Sequence, residues 1–196
     1  MPANYARYLI GTQRTAESNR ELGFVLAFVA GSINAGGFLA VKQYTSHVTG
    51  MVSSLADNLA LGQLGLVVDA GVGVLSFLLG AMCCAIMVNF ARRRELSSEY
   101  ALPLLLEAVL ILCFGLLGAQ LSTFEGLLVP FTVVLLCFIM GLQNAIATKL
   151  SSAVIRTTHM TGIVTDLGIE LGKLVYWNRN PEHPLKVRAD RQRMAV

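Results

Sequence analysis

Two short stretches carry most of the polar chemistry in an otherwise apolar chain, "TSHVTGMV" at 45–52 and "RTTHMTGIV" at 156–164. Each sets an imidazole, then one residue, then a threonine and a glycine. That order suits a helix that starts inside a membrane. A Thr hydroxyl accepts from first-turn amides, and Gly lets a solute or a second backbone come close. The helix start itself aims unpaired N–H groups and a partial positive charge forward. Thr49 and Thr161 are therefore the expected N-caps, and Gly50 and Gly162 the close-approach positions. His47 and His159, with Thr158 beside the latter, are the candidate solute contacts or proton-relay groups. The competing reading is that each imidazole only braces a helix break.

Other polar groups fall at related places. "GSINA" at 31–35 and "GLQNA" at 141–145 place Asn34 and Asn144 upstream of the two histidines. Each amide can bond a solute or hold a neighbouring helix, and Gln143 adds one in the second copy. Glu107 lies within "LLLEAVLIL", where a carboxylate is either a coupling or paired group or one that snorkels to the surface. Asp166 and Glu170 sit one turn apart, so they either bind a coupling ion or are solvated. Asp69 reads as interfacial and His183 as exposed. No nucleotide-binding loop, zinc-ligand spacing or nucleophile elbow is present. The chain is therefore not read as an enzyme, and no cofactor, metal or nucleic acid is expected.

Long apolar helices must position these groups. The chain is 55% hydrophobic and 14% charged, with mean hydropathy +0.63, a balance of membrane proteins. Apolar runs long enough to span a bilayer as helices cover 22–41, 66–90, 101–121 and 126–148. Residues 1–20 form a polar tail, and no small-residue cleavage site follows the first run, so a removed signal peptide is not expected. Shorter amphipathic helices are expected at 48–62 and 160–175. Their apolar stripes are Val48, Met51, Val52, Leu55 and Leu59, and Met160, Ile163, Val164, Leu167, Leu171, Leu174 and Val175. Cys83, Cys84, Cys113 and Cys137 lie inside apolar runs and read as small hydrophobes. Gly71, Gly73, Gly115 and Gly118 are expected to admit close helix packing.

Charge sets the topology. Fourteen of the fifteen Lys and Arg precede the first run, follow the second or follow the fourth, and Lys42 is the exception. Because basic residues stay on the cytoplasmic side, the N-terminus is expected inside, with 42–65 and 122–125 outside. Counting both short helices as re-entrant preserves this asymmetry. The two motif pairs recur in the same order, offset by 110 and 112 residues, which argues for an internal duplication. Three crossings per copy then make it an inverted repeat. The fold expected is thus an all-α polytopic membrane protein, with repeats at 21–121 and 126–196. The second is apparently incomplete, ending in a basic tail at 178–196 that looks like a lead-in to further spans.

"GLQNA" followed by "RTTHMTGIVTDLG", with the earlier "GSINA" and "SHVTG", resembles the YoaK-like family of bacterial inner-membrane proteins. The resemblance runs from about residue 20 and implies a cytoplasmic-membrane location, with no established activity. Function is therefore read from the residues. The expectation is a secondary transporter or facilitator of a small solute, with a site between the two His-x-Thr-Gly helices and coupling through Glu107, Asp166 or Glu170. The alternative is a non-transporting scaffold or a subunit of a larger membrane complex. The bilayer is the expected partner, and self-association is compatible with the composition.

Overall fold

A computed structural model of the protein describes residues 5, 8–9, 11, 15–118, 125–150, 159–176, 187 and 189. The side chains of residues 125–127, 159 and 160 lie outside the description. In chain order the helices are α1 Ala16–Val41, α2 Val48–Ala60, α3 Leu64–Arg93, α4 Ala101–Gly118, α5 Glu125–Leu150 and α6 His159–Val175, with no strand among the described residues. Helices α1, α3, α4 and α5 (the last from Leu128) are long and apolar enough to cross a membrane. The chain is an all-α polytopic membrane protein.

Local chemistry sets the helix ends. α1 begins earlier than its apolar run because Thr15 and Ser18 form a capping box, with the Ser18 N–H donating to the Thr15 hydroxyl at 3.1 Å. It ends at Lys42, which adopts a left-handed conformation at φ 57° and donates its N–H to the Phe38 carbonyl. α3 closes on Arg92 and Arg93, cations that favour a helix C-terminus. The turn into α4 is clamped by Arg92, which donates to both carboxylate oxygens of Glu99 at 3.1 and 2.7 Å.

Small residues set the packing. Gly80 of α3 lies against the backbone of Phe138 and Leu142, and Gly141 of α5 lies against the backbone of Phe77. A side chain at either glycine would overlap the opposite backbone. One turn away the Ser76 hydroxyl donates to the Val134 carbonyl at 2.7 Å. These contacts make α3 and α5 parallel neighbours. α1 runs antiparallel to α5, with Gln143 donating to the Leu26 carbonyl at 3.0 Å and Gly37 against Leu136. The pattern fits a membrane interior, where interfaces gain little from hydrophobicity and rely on close backbone approach and hydrogen bonds.

The short helices lie on opposite sides of the middle of α3. In α2, Met51 packs on Gly73 and Leu55 on Gly71, so α2 runs antiparallel to α3. It starts at the fully buried Val48, in a cluster with Phe77, and ends where α3 begins. α6 runs parallel to α3, with Gly168 on Leu78 and Ala81 and Gly172 on Met82 and Ala85. Its last turn reaches the α3 C-terminus, where the Arg93 guanidinium sits 5.5 Å from the Tyr176 ring centre.

The face of α6 that is buried is not its apolar stripe: Thr161, Thr165, Gly168, Ile169, Glu170 and Gly172 are buried, while Ile163 is 42% and Leu174 53% exposed. Small side chains admit the α3 backbone, whereas the leucines cannot. A methyl placed on Gly115 or Gly118 would meet nothing within 4 Å among the described residues, whereas Gly71 and Gly73 lie against Leu55, Met51 and Cys137. All four cysteines are free thiols, with Cys84 and Cys137 buried and Cys113 exposed.

Candidate functional site

The chain between α1 and α2 is folded back on itself by short-range contacts. Tyr44 stacks on Phe38 with centroids 4.6 Å apart and planes at 16°, and presents its ring at 5.6 Å to the edge-on imidazole of His47. The Ser46 hydroxyl donates to the Asn34 side-chain carbonyl at 2.8 Å. Asn34 thus anchors this loop to α1. Thr45 is buried, and its hydroxyl has no partner among the described residues.

α2 then starts at Val48 with His47 as N-cap, and the His47 side chain makes no capping hydrogen bond. Thr49 is not the cap. It lies inside the first turn and is exposed, because the helix begins one residue before it. Thr161 is likewise an interior residue of α6, buried, and its carbonyl accepts from the Thr165 hydroxyl at 2.7 Å.

Beside His47 opens a cleft of about 640 Å³. One wall is polar: Lys42, Gln43 and Tyr44 of the loop, then Gly50, Ser54 and Asn58 along one face of α2. The opposite wall is mostly apolar, formed by Val129, Pro130, Val133 and Val134 of α5 with Leu66 and Val72 of α3. Asp69 of α3 is the one carboxylate among the described lining residues and is exposed. The amides of the first α2 turn, the Lys42 ammonium and the imidazole together favour a negative or polar group on the loop side. The hydrocarbon wall accepts an apolar body.

The expected site residues are only partly brought together. His47 and Gly50 line the cleft. Asn34 supports it from behind. Gln143 is buried on the α1 face of α5, and Asn144 donates to the Met140 carbonyl of its own helix at 2.7 Å. Gly162 is half-buried in the first turns of α6. Thr158 and the His159 side chain lie outside the described residues. The helix starts themselves do meet: Val48, Met51 and Val52 of α2 and Val164 of α6 join one apolar cluster around Phe77.

The carboxylates resolve differently. Glu107 is 3% exposed and neither oxygen has a hydrogen-bond partner among the described residues, so it does not snorkel. Glu170 is 2% exposed and holds the Lys173 ammonium at 2.6 Å, which overturns the solvated reading for it. Asp166 is half-buried on the same helix. Among the described residues no three His, Cys, Asp or Glu converge as a metal site requires.

Lys42, Tyr44 and Asp69 are not among the site residues expected from the sequence, although the distribution of charge does mark Lys42. It is the lone basic residue off the basic side, and its left-handed backbone at the end of α1 turns it into the cleft region. Tyr44 gives no signal, since a single aromatic after a span is ordinary.

No curated protein and no solved structure matches the chain. The sequence profile of the family described as "Protein of unknown function (DUF1275)" matches residues 22–196, which is most of its length, and the chain belongs to that family.

Proposed function

We propose that this protein is a transporter or facilitator of a small solute, with its binding site in the cleft beside His47 and its path leading toward the meeting point of α2 and α6. The observation that carries this reading is the cleft itself: about 640 Å³, polar on one wall and apolar on the other, and running along one face of α2 from His47 at the helix start. Broken or re-entrant helices whose starts face a central site are a recurrent device of secondary transporters. An amphipathic lining of this kind suits a small organic molecule with one polar end.

We read the molecule as an inverted repeat. The opposed directions of α1 and α5, and of α2 and α6, support this, as does the recurrence of Gly, Asn and His-x-Thr-Gly in the same order. Of the YoaK-like block, residues 141–145 fall on α5 and residues 159–168 on α6. From the distribution of Lys and Arg we place the Arg92 end of the bundle in the cytoplasm of a bacterial cell and the cleft on the outer face of its inner membrane. Glu107, buried and without a partner in the described structure, is the proposed proton-coupling carboxylate.

The test is uptake by proteoliposomes loaded with a panel of small organic acids, amines and zwitterions. The reading expects at least one solute to be taken up, with flux lost in Lys42→Ala and His47→Ala while both variants stay folded. Flux indifferent to both would remove the site. Absence of flux for every solute, with destabilisation by either substitution, would favour a scaffold or subunit role.

A further inference from the structure

We propose that α1, α2 and α6 together form a docking groove for one further membrane-spanning helix, which runs antiparallel to α3 and presents an α3-like face. The inference rests on the repeat reading above, in which α1 corresponds to α5 and α2 to α6.

The repeat lets each unfilled surface be compared with its filled counterpart. On α5 the residues that meet α3 include Cys137, Phe138, Gly141 and Leu142, and Ala145 shares a buried cluster with Ala81 and Cys84 of α3; all are buried or half-buried. The offset of 110 residues places Ala27, Phe28, Gly31, Ser32 and Ala35 at those positions of α1, and Phe, Gly and Ala recur unchanged at three of them. On α1 all five are exposed or half-buried: Phe28 at 76%, and a methyl on Gly31 would meet nothing within 4 Å. The same notch that receives the Phe77 backbone in α5 is bare in α1.

The short helices repeat the pattern with their faces exchanged. α6 sets Gly168 and Gly172 against α3, buries Thr161 and Thr165 on the same small and polar face, and leaves its apolar stripe partly exposed. α2 gives α3 its apolar stripe and leaves the equivalent small face, Thr49, Ser53, Ala56 and Ala60, exposed. A helix related to α3 by the repeat would take the complement of each: Gly31 on α1, the small face on α2 and the apolar stripe on α6. One occupant therefore accounts for three separate bare surfaces.

The chemistry of that occupant follows from α3. It needs an apolar span with small residues placed like Gly80, Ala81 and Ala85, because a larger side chain at those positions would meet the opposing helix. A second copy's own α3 does not qualify. Its face is buried in its own protomer, and a copy inserted in the same sense would present it in the wrong direction. Residues 177–196 carry seven charged side chains, too many for a span. The occupant is a transmembrane helix distinct from the six described.

The experiment uses the full chain in a cysteine-free background with Ala56→Cys. It is co-expressed with a separate single-span probe carrying residues 66–90 of α3, in which Cys83 and Cys84 are replaced and Ala81→Cys supplies the sole thiol. Lysines at the probe's C-terminal or N-terminal end set its direction of insertion, and the pair of probes differs only in that. Gly168, the counterpart of Ala56, sits on Ala81, so oxidation should link the Ala56→Cys chain to the probe inserted antiparallel to α3. Adding Gly31→Leu should cut the product about tenfold or more, the scale of an overpacked helix contact, and leave the melting of the chain alone unchanged. A link that survives Gly31→Leu, or forms equally with a probe inserted in the opposite sense, would overturn the groove. So would Ala56–Ala56 homodimers in place of the probe adduct, which point to a second copy, or no adduct at all, which leaves the faces to lipid. These readouts do not depend on transport, so they stand or fall separately from the solute reading.

Discussion

Substituting Gly141 by alanine tests how the centre of the bundle is held. A methyl there would fall well inside van der Waals contact of the Phe77 carbonyl. Because the obstacle is backbone, no rotamer change relieves it, and α3 and α5 must move apart. Overpacking of this kind costs about 1–3 kcal/mol. Separation also stretches the bond from the Ser76 hydroxyl to the Val134 carbonyl, 2.7 Å long, worth about 0.6–1 kcal/mol in a membrane. Against this stands the gain of about 1 kcal/mol that alanine brings to a helix interior over glycine. The net loss is about 1–3 kcal/mol. Gly118→Ala is the control, since a methyl there meets nothing within 4 Å among the described residues, and it should be neutral or stabilising by up to about 1 kcal/mol. Reversible unfolding of the purified protein in mixed micelles, followed by circular dichroism, measures both. Gly80→Ala strains the same helix pair against Phe138, so the double variant should cost clearly less than the sum of the singles. A Gly141→Ala protein as stable as Gly118→Ala, or strict additivity of the two packing variants, would refute this account.

Three further outcomes follow from the buried polar groups and the cleft. Glu107→Leu should raise stability by about 1 kcal/mol or more in the same unfolding assay, since it removes a buried carboxyl without a partner among the described residues; in proteoliposomes it should abolish the dependence of uptake on a proton gradient. Gln143→Leu loses the bond to the Leu26 carbonyl but also removes a buried side-chain oxygen that has no partner among the described residues, so its cost should stay within about 1 kcal/mol; a loss of several would mean that this tether is central to the α1–α5 contact. Single cysteines at Ser54 and Asn58, both lining the cleft, should react with a membrane-impermeant thiol reagent added outside intact cells, whereas one at the buried Ala145 should not.

Much of the scaffold was legible because the membrane imposes it. A helix interior needs an uninterrupted apolar run, so the four spans stand in the sequence within a few residues of where they fold. Thr15 and Lys42 extend or stop them through local capping. The pairing of motifs was also a sequence property, since identity at a fixed offset needs no coordinates. Packing was not legible. Periodicity marks the leucine stripe of α6 but not what it meets, and it is the Thr and Gly face that is buried, because apolar stripes are equally content against lipid and only close backbone approach rewards burial. The fates of Glu107, Glu170 and Asn34 are of the same kind. Whether a carboxylate or amide is orphaned, paired or tethered to a loop depends on what another helix places opposite it. Residue type and spacing thus determined where this chain crosses a membrane and where its helices break. Only the tertiary structure decided which faces meet, which polar groups open onto a cleft, and which helix faces stay exposed.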